Sequence, residues 1–159
     1  MKFKYNVCAL LAAVVALSVG LAGCSDAPAP NTRTVTLKLT AAAPNVENPN
    51  GTLHVYTYNT WRGNGELRHP LAPIEEYLEF DYTGDVIEHE FEYTDGWGIG
   101  FAVYAWLDTD GDGILCTPTK RDEFAGFGKS TSDDPNVAIV SLEMNGACAG
   151  PDRFFPVPE

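Results

Sequence analysis

Basic residues are scarce in this chain of 159 residues, in which 10 Lys and Arg stand against 22 Asp and Glu for a net charge of −12 at pH 7. Nucleic-acid binding is therefore not expected, because phosphate recognition needs a basic surface. The same charge argues against docking of a domain flat on anionic lipid. It favours binding of cations or serves solubility alone, and both interpretations stay open.

Heptads, internal repeats and an alternation of strands with helices are also absent from the sequence. The apolar run over residues 7–21 is too short, and too poor in flanking charges, to predict a membrane-spanning helix. It has the layout of an export signal instead, because Lys2 and Lys4 precede it and the small residues Ala22 and Gly23 follow it.

The segment Leu21-Ala22-Gly23-Cys24 resembles the lipobox of bacterial lipoproteins, in which the cysteine is acylated and becomes the first residue of the mature chain. The resemblance implies a signal peptide over residues 1–23 and a palmitate-bearing membrane anchor at Cys24. It places the protein in the cell envelope, outside the cytoplasmic membrane. Ser25 after the cysteine implies sorting to the outer membrane if the source is Gram-negative.

Removal of residues 1–23 leaves 136 of the 159 residues, which suits one domain and a short tether. We expect the tether at residues 24–32, which include Pro28 and Pro30, and the domain at residues 33–159. Without the two lysines of the signal, 8 basic residues remain against 22 acidic ones, a net charge of −14.

The cysteine count predicts one disulfide bond. Cys8 leaves with the signal and Cys24 carries the lipid, so Cys116 and Cys148 remain as a pair in an oxidising compartment. Their bond would close a loop of 33 residues, which the chain-entropy model values at roughly 3–4 kcal/mol. A zinc site is the poorer interpretation, because neither cysteine has a Cys or His nearby at ligand spacing.

Alternation of apolar and polar residues from Val35 onward predicts a half-buried first strand. Further strands are predicted at residues 52–59, 77–82, 86–93, 99–107 and 137–144. The turn residues Thr83-Gly84-Asp85 predict a hairpin between the strands at residues 77–82 and 86–93, and residues 73–77 suggest a helical turn. Several short strands with turn signals predict a single-domain, all-β antiparallel sandwich of the transthyretin or immunoglobulin type.

The sharpest motif lies directly after the strand at residues 99–107. Asp108, Asp110 and Asp112 stand at positions one, three and five of a loop, with Gly113 at position six for the sharp bend. Position seven, Ile114, offers its backbone carbonyl. This spacing is typical of the first half of an EF-hand calcium loop.

The second half of the loop departs from that pattern. Thr119 stands at position twelve, where a bidentate glutamate is expected, and no helix precedes the loop. Asp122 or Glu123 would close the shell from further along the chain. We predict a structural Ca²⁺ site whose ligands are Asp108, Asp110, Asp112, Ile114 and Glu123. The alternative is a plain Asp-Gly turn without metal.

Residues 101–113, followed by Glu123-Phe124-Ala125-Gly126-Phe127-Gly128, resemble an uncharacterised family of small exported bacterial proteins. That family shows a strand of the "YAv" type, an Asp/Asn-Gly loop, a glutamate and a "GF" pair. The resemblance covers about 30 residues and implies a transthyretin-like β-sandwich. Cys116 within the loop and Phe127-Gly128-Lys129 depart from the family pattern. The family brings no established activity.

The known enzyme motifs are missing. Gly128-Lys129-Ser130 lacks the upstream glycine of a phosphate loop, since that position is Glu123. No Gly-x-Ser-x-Gly elbow occurs. We therefore expect a non-enzymatic binding or structural module with an envelope protein or glycan as partner. One alternative is an enzyme acting on envelope glycans through Asp108, Asp112 or Glu123.

Another alternative is a carbohydrate-binding module that stacks sugars on Trp61 and Trp97, which lie near glycine-rich turns. These rings would otherwise cap the ends of the sandwich, and Trp106 is expected in the core. The three histidines, His54, His69 and His89, share no ligand spacing and are interpreted as packing or surface residues.

Overall fold

Strands account for nearly all the regular structure of the described residues. The computed structural model describes residues 32–63, 66–94 and 100–154, with side chains over 32–58, 77–94 and 101–154. The strands are β1 (Thr32–Ala42), β2 (Thr52–Gly63), β3 (Glu66–Asp81), β4 (Ile87–Thr94), β5 (Gly100–Asp108), β6 (Phe124–Lys129), β7 (Val137–Glu143) and β8 (Gly146–Ala147). A 3-10 turn at Pro151–Arg153 follows them. No helix in this described part of the chain is long and apolar enough to cross a membrane.

The strands form two sheets. One has the order β4-β1-β7 and the other β3-β2-β5-β6-β8. Strands β1 and β7 run parallel, and all the other pairings are antiparallel. The expected single-domain, all-β sandwich is confirmed. The near-continuous apolar run at residues 99–107, which is typical of a central strand, forms β5, and β5 lies between β2 and β6.

The core lies between the two sheets, where period-two alternation places every second side chain. Leu37 and Leu39 of β1 are fully buried, as are Leu53 of β2 and Leu107 of β5. Each such side chain stabilises the fold by roughly 1.5–3 kcal/mol relative to an exposed one. A second apolar cluster, which contains Trp106, Tyr104 and Tyr58, is separate from this core.

The predicted hairpin around Thr83-Gly84-Asp85 is wrong. The chain does bend there, with Gly84 at a φ of 78°, but β3 pairs with β2 and β4 pairs with β1 in the other sheet. Turn residues specify a bend and not the partner of the strand that follows. Phe91 and Tyr93 of β4 are buried in the core beside β1. This burial favours the crossing from one sheet to the other.

The helical turn suggested for residues 73–77 is also wrong, because these residues belong to β3, which pairs with the long β2. Cross-strand hydrogen bonding here overrides the local preference. The alternating glutamates of β4 are typical of the solvated face of an edge strand. Glu88, Glu90 and Glu92 are exposed on an edge of the three-stranded sheet, and Glu88 bonds Lys38 at 3.0 Å.

Two glycines of β6 bring the two sheets into close contact. A Cβ added to Gly126 would lie 2.4 Å from the carbonyl oxygen of Glu143, and one added to Gly128 would lie 2.7 Å from that of Ser141. Both carbonyls belong to β7. The backbone of β6 is therefore held against β7, and the residue that precedes β6, Glu123, has a fixed position.

Candidate metal centre

Asp108 ends β5 and organises the loop that follows. Asp108 is 2% exposed. Its Oδ1 accepts the backbone N–H groups of Asp110 at 3.1 Å and Gly111 at 2.6 Å, and its Oδ2 accepts that of Gly113 at 2.9 Å. Gly111 and Gly113 have φ angles of 78° and 72°, a region that favours glycine. The glycines of the motif therefore allow the chain to wrap around the carboxylate.

Burial alone would raise the pKa of Asp108. The N–H donors of Gly113, Gly111 and Asp110, together with a side-chain interaction with Asp110, outweigh that effect and lower the pKa below its usual value. Asp108 is thus held as an anion inside the protein.

The next two aspartates repeat the same local turn. Asp110 Oδ1 accepts the N–H of Asp112 at 3.1 Å, and Asp112 Oδ1 accepts the N–H of Ile114 at 2.8 Å. The second oxygen of Asp110 lies 2.6 Å from the ammonium group of Lys120. The hydrogen bond to Asp110 raises the pKa of Lys120 and outweighs desolvation, which lowers it.

Glu123 reaches the loop from the start of β6. It is 1% exposed, and its Oε2 accepts the backbone N–H of Cys116 at 2.6 Å. Its Oε1 is buried without a hydrogen-bond partner. Burial raises the pKa of Glu123, the N–H of Cys116 lowers it, and the negative charges of Asp108, Asp110 and Asp112 raise it further.

Four carboxylates come together in this way. Each offers one oxygen atom, and these atoms all lie within 4.8 Å of one another. The members of this acidic cluster are Asp108, Asp110, Asp112 and Glu123. The group could hold a metal ion. It unites the three aspartates of the predicted site with Glu123, whereas Asp122, the other residue considered, is not a member.

Ile114 was predicted to add its carbonyl oxygen. The residue is 56% exposed, and its N–H donates to Asp112. The ligand role of its carbonyl stays a prediction.

The Cys116–Cys148 bond is present, with Cα atoms 5.5 Å apart. Both cysteines adopt positive φ angles, 56° and 50°. The bond ties the acidic loop to the segment after β8, where the N–H of Cys148 donates to the carbonyl of Glu123 at 2.9 Å. Cys116 and Cys148 thus each donate a backbone hydrogen bond to Glu123.

His54 touches the site, which its sequence context did not indicate. Its Nε2 lies 3.6 Å from Oδ2 of Asp108, and its ring stacks on Trp106 with centroids 4.1 Å apart. Its Nδ1 lies 2.6 Å from the hydroxyl of Tyr77, which in turn donates to Glu79. The pairing of β2 with β5 sets His54 opposite Trp106, two positions from Asp108. The proximity of His54 to Asp108 could not be predicted, because it depends on the order of the strands in the sheet.

Several predicted features lie outside the described residues. These are the lipobox with Cys24, all of Trp97, and the side chains of Trp61 and His69. Trp106, expected in the core, is 4% exposed and packs in the second apolar cluster.

Comparisons with known proteins give little further information. No family model matches the chain, and no curated protein matches it. Among solved structures, the chain is similar to an alternative pilotin from the type II secretion system of Vibrio cholerae. The identity is 12%, the match covers 76% of this chain and 100% of that chain, and the TM-score is 0.36. A similarity of this size carries no argument about this chain, and the resemblance to a transthyretin-like family stays a prediction.

Proposed function

We propose that this protein is a calcium-stabilised, non-enzymatic binding or structural module, held in the cell envelope by a lipid on Cys24. The proposal of a metal site rests mainly on the environment of the Glu123 side chain. Its Oε1 is buried, lacks a hydrogen-bond partner and belongs to a group with three aspartates. A buried ionised carboxylate is costly unless a cation or hydrogen bonds compensate it. A cation bound by the acidic cluster would supply that compensation.

The donor set favours a hard cation. All four side chains of the acidic cluster offer carboxylate oxygens, which suit calcium or magnesium better than soft transition metals. Calcium takes six to eight oxygens in flexible geometry, so backbone carbonyls such as that of Ile114 and water would complete its shell. Extracellular calcium modules bind weakly, with Kd of about 10⁻⁴–10⁻³ M. A loop with an incomplete set of calcium ligands, and hence weak calcium binding, therefore suits an exported protein.

The burial of two members of the cluster supports a structural rather than a catalytic role for these two. Asp108 and Glu123 are 2% and 1% exposed, and both carboxylates already accept backbone N–H groups. A general acid or base has to lie within hydrogen-bond reach of its substrate. We therefore propose that the two buried carboxylates stabilise the fold around a cation and perform no turnover.

The experiment is calorimetric unfolding of the full chain in detergent, with and without calcium. For a Kd of about 10⁻⁴ M, about 10 mM calcium stabilises the folded state by about 2.7 kcal/mol, which raises Tm by several degrees. Asp110→Asn keeps the acceptor for the N–H of Asp112 but removes one ligand charge, so it should abolish most of that rise. Asp133→Asn, at an exposed position in another loop, is the matched control and should retain it.

Sodium chloride at equal ionic strength separates specific binding from screening of the acidic surface. An equal rise with sodium chloride, or no rise with calcium, contradicts the metal site. Loss of the anchor is tested separately by Cys24→Ser, which should release the protein from the membrane fraction.

A further inference from the structure

An open cavity of about 430 Å³ adjoins the acidic cluster. One wall is the connection between β1 and β2, at residues 45–50, and Thr109 and Asp122 lie on the other side. Thr109 follows Asp108 in the chain and Asp122 precedes Glu123. Two residues of the cavity wall are therefore direct chain neighbours of two members of the acidic cluster. A cation that orders the acidic cluster would also order this wall of the cavity.

The first wall is also fixed to the loop directly. A Cβ added to Gly51 would lie 2.0 Å from the carbonyl oxygen of Asp108, and Gly51 has a φ of 125°. Only glycine fits that contact. The carbonyl of Gly51 accepts the N–H of Tyr82 at 2.9 Å, and the N–H of Val46 donates to Ala43 at 3.2 Å. Both ends of this wall are thus held in place, which lowers the entropic cost of binding a ligand.

The lining defines the chemistry of a ligand. The residues that line the cavity include Asn45, Asn48, Asn50, Glu47, Asp122 and Phe124. No lysine or arginine is among the described residues that line it, so phosphates and carboxylates find no positive partner. Each asparagine amide both donates and accepts hydrogen bonds, as a hydroxyl group does. Phe124 and Val46 add apolar surface for the C–H groups of a ring.

We propose that this cavity binds a neutral saccharide of a few rings, with the asparagine amides and Asp122 hydrogen-bonded to its hydroxyls. The volume falls in the range of small-molecule sites. The proposal rests on the proposed function in one respect, namely that calcium in the acidic cluster holds Thr109 and Asp122 in position. It is a different proposal from sugar stacking on Trp61 and Trp97, whose side chains lie outside the described residues.

The test is calorimetric titration of the full chain with maltotriose, cellotriose and triacetylchitotriose. It is run in calcium and in a detergent without a sugar headgroup. At least one trisaccharide should bind, and the double variant Asn45→Ala/Asn50→Ala should weaken that binding at least tenfold. Both residues are exposed. Asn145→Ala, an exposed asparagine away from the cavity, is the matched control and should bind within twofold of the parent.

The readouts separate the two proposals. The double variant should keep the calcium-dependent rise in Tm, which reports on the acidic cluster alone. If calcium raises Tm and none of the three saccharides binds, the cavity proposal is overturned and the metal site stands. If a saccharide binds equally well to the parent and to the double variant, the site lies elsewhere and the proposal is also overturned. Binding that depends on the asparagines in a protein without a calcium response supports the cavity and overturns the metal site.

Discussion

The carboxylate of Glu123 accepts the backbone N–H of Cys116 with one oxygen, at 2.6 Å, and leaves the other buried and unpaired. Cys116 is covalently bonded to Cys148. A glutamate at the start of β6 is thereby held against a loop whose own aspartates repel it. The pair links the stability of the domain to the charge state of its acidic cluster.

Replacement of Glu123 by Gln should stabilise the metal-free protein at neutral pH and remove its calcium response. The pKa of Glu123 is raised in the folded state, so its charged form destabilises the fold. The penalty is absent below the unfolded pKa of 4.5, grows as pH rises through the folded pKa, and is complete above it.

The measurement is Tm of the metal-free parent and Glu123→Gln between about pH 4 and pH 8. The parent should lose stability relative to the variant as pH rises through the raised pKa of Glu123, and calcium should reduce that loss. Glu90→Gln on the exposed face of β4 is the control for removal of one charge. Equal pH profiles for the parent and Glu123→Gln would contradict the buried-charge argument.

Removal of the disulfide with Cys116→Ala/Cys148→Ala should lower stability by roughly 3–4 kcal/mol, because the bond closes a loop with a sequence separation of 32 residues. We expect a fall in Tm of about 10 °C. The calcium affinity should also fall, since Cys116 no longer holds its N–H against Glu123. The parent in reducing agent should match the double variant. A variant with unchanged calcium affinity would show that the loop holds its shape without the bond.

Lys120 competes with a metal ion for Asp110, because its ammonium group lies 2.6 Å from Oδ2 of that residue. Lys120→Met should therefore tighten calcium binding. Because solvent screens this pair and weakens it, we expect a gain in affinity of up to about fivefold. Lys38→Met removes the same charge from β1, where the lysine bonds Glu88, and should change the affinity less. Titration of the calcium-dependent Tm for both variants makes the comparison.

Much of the fold was predictable because it follows from alternation within single segments. The inward residues of β1, Leu37 and Leu39, are of this kind. The central position of β5 agrees with the near-continuous apolar run of its own segment. The pairing of β3 and β4 was mispredicted, since the turn at Gly84 specifies a bend and the choice of partner depends on the whole core.

The residues of the candidate site also fall into those that local spacing predicts and those that depend on strand pairing. The three aspartates follow from local spacing, and Glu123 followed from its nearness in the chain. His54 is 54 positions from Asp108 in sequence and reaches it only through the pairing of β2 with β5. The cavity beside Thr109 likewise depends on the contact of Gly51 with Asp108, which joins distant parts of the chain. The spacing of residues within one segment does not indicate which other strand that segment contacts.

Gly126→Ala should destabilise the domain and weaken calcium binding together. The added Cβ would lie 2.4 Å from the carbonyl oxygen of Glu143 and 3.1 Å from Leu142, so β6 would have to move away from β7. Overpacking of this kind costs about 1–3 kcal/mol. Because Glu123 directly precedes β6, the shift should also displace one ligand of the acidic cluster. Ser141→Ala, at an exposed position of β7, is the control. Calorimetry with and without calcium measures both effects, and a loss of stability with unchanged calcium affinity would show that Glu123 is positioned by its own loop and not by β6.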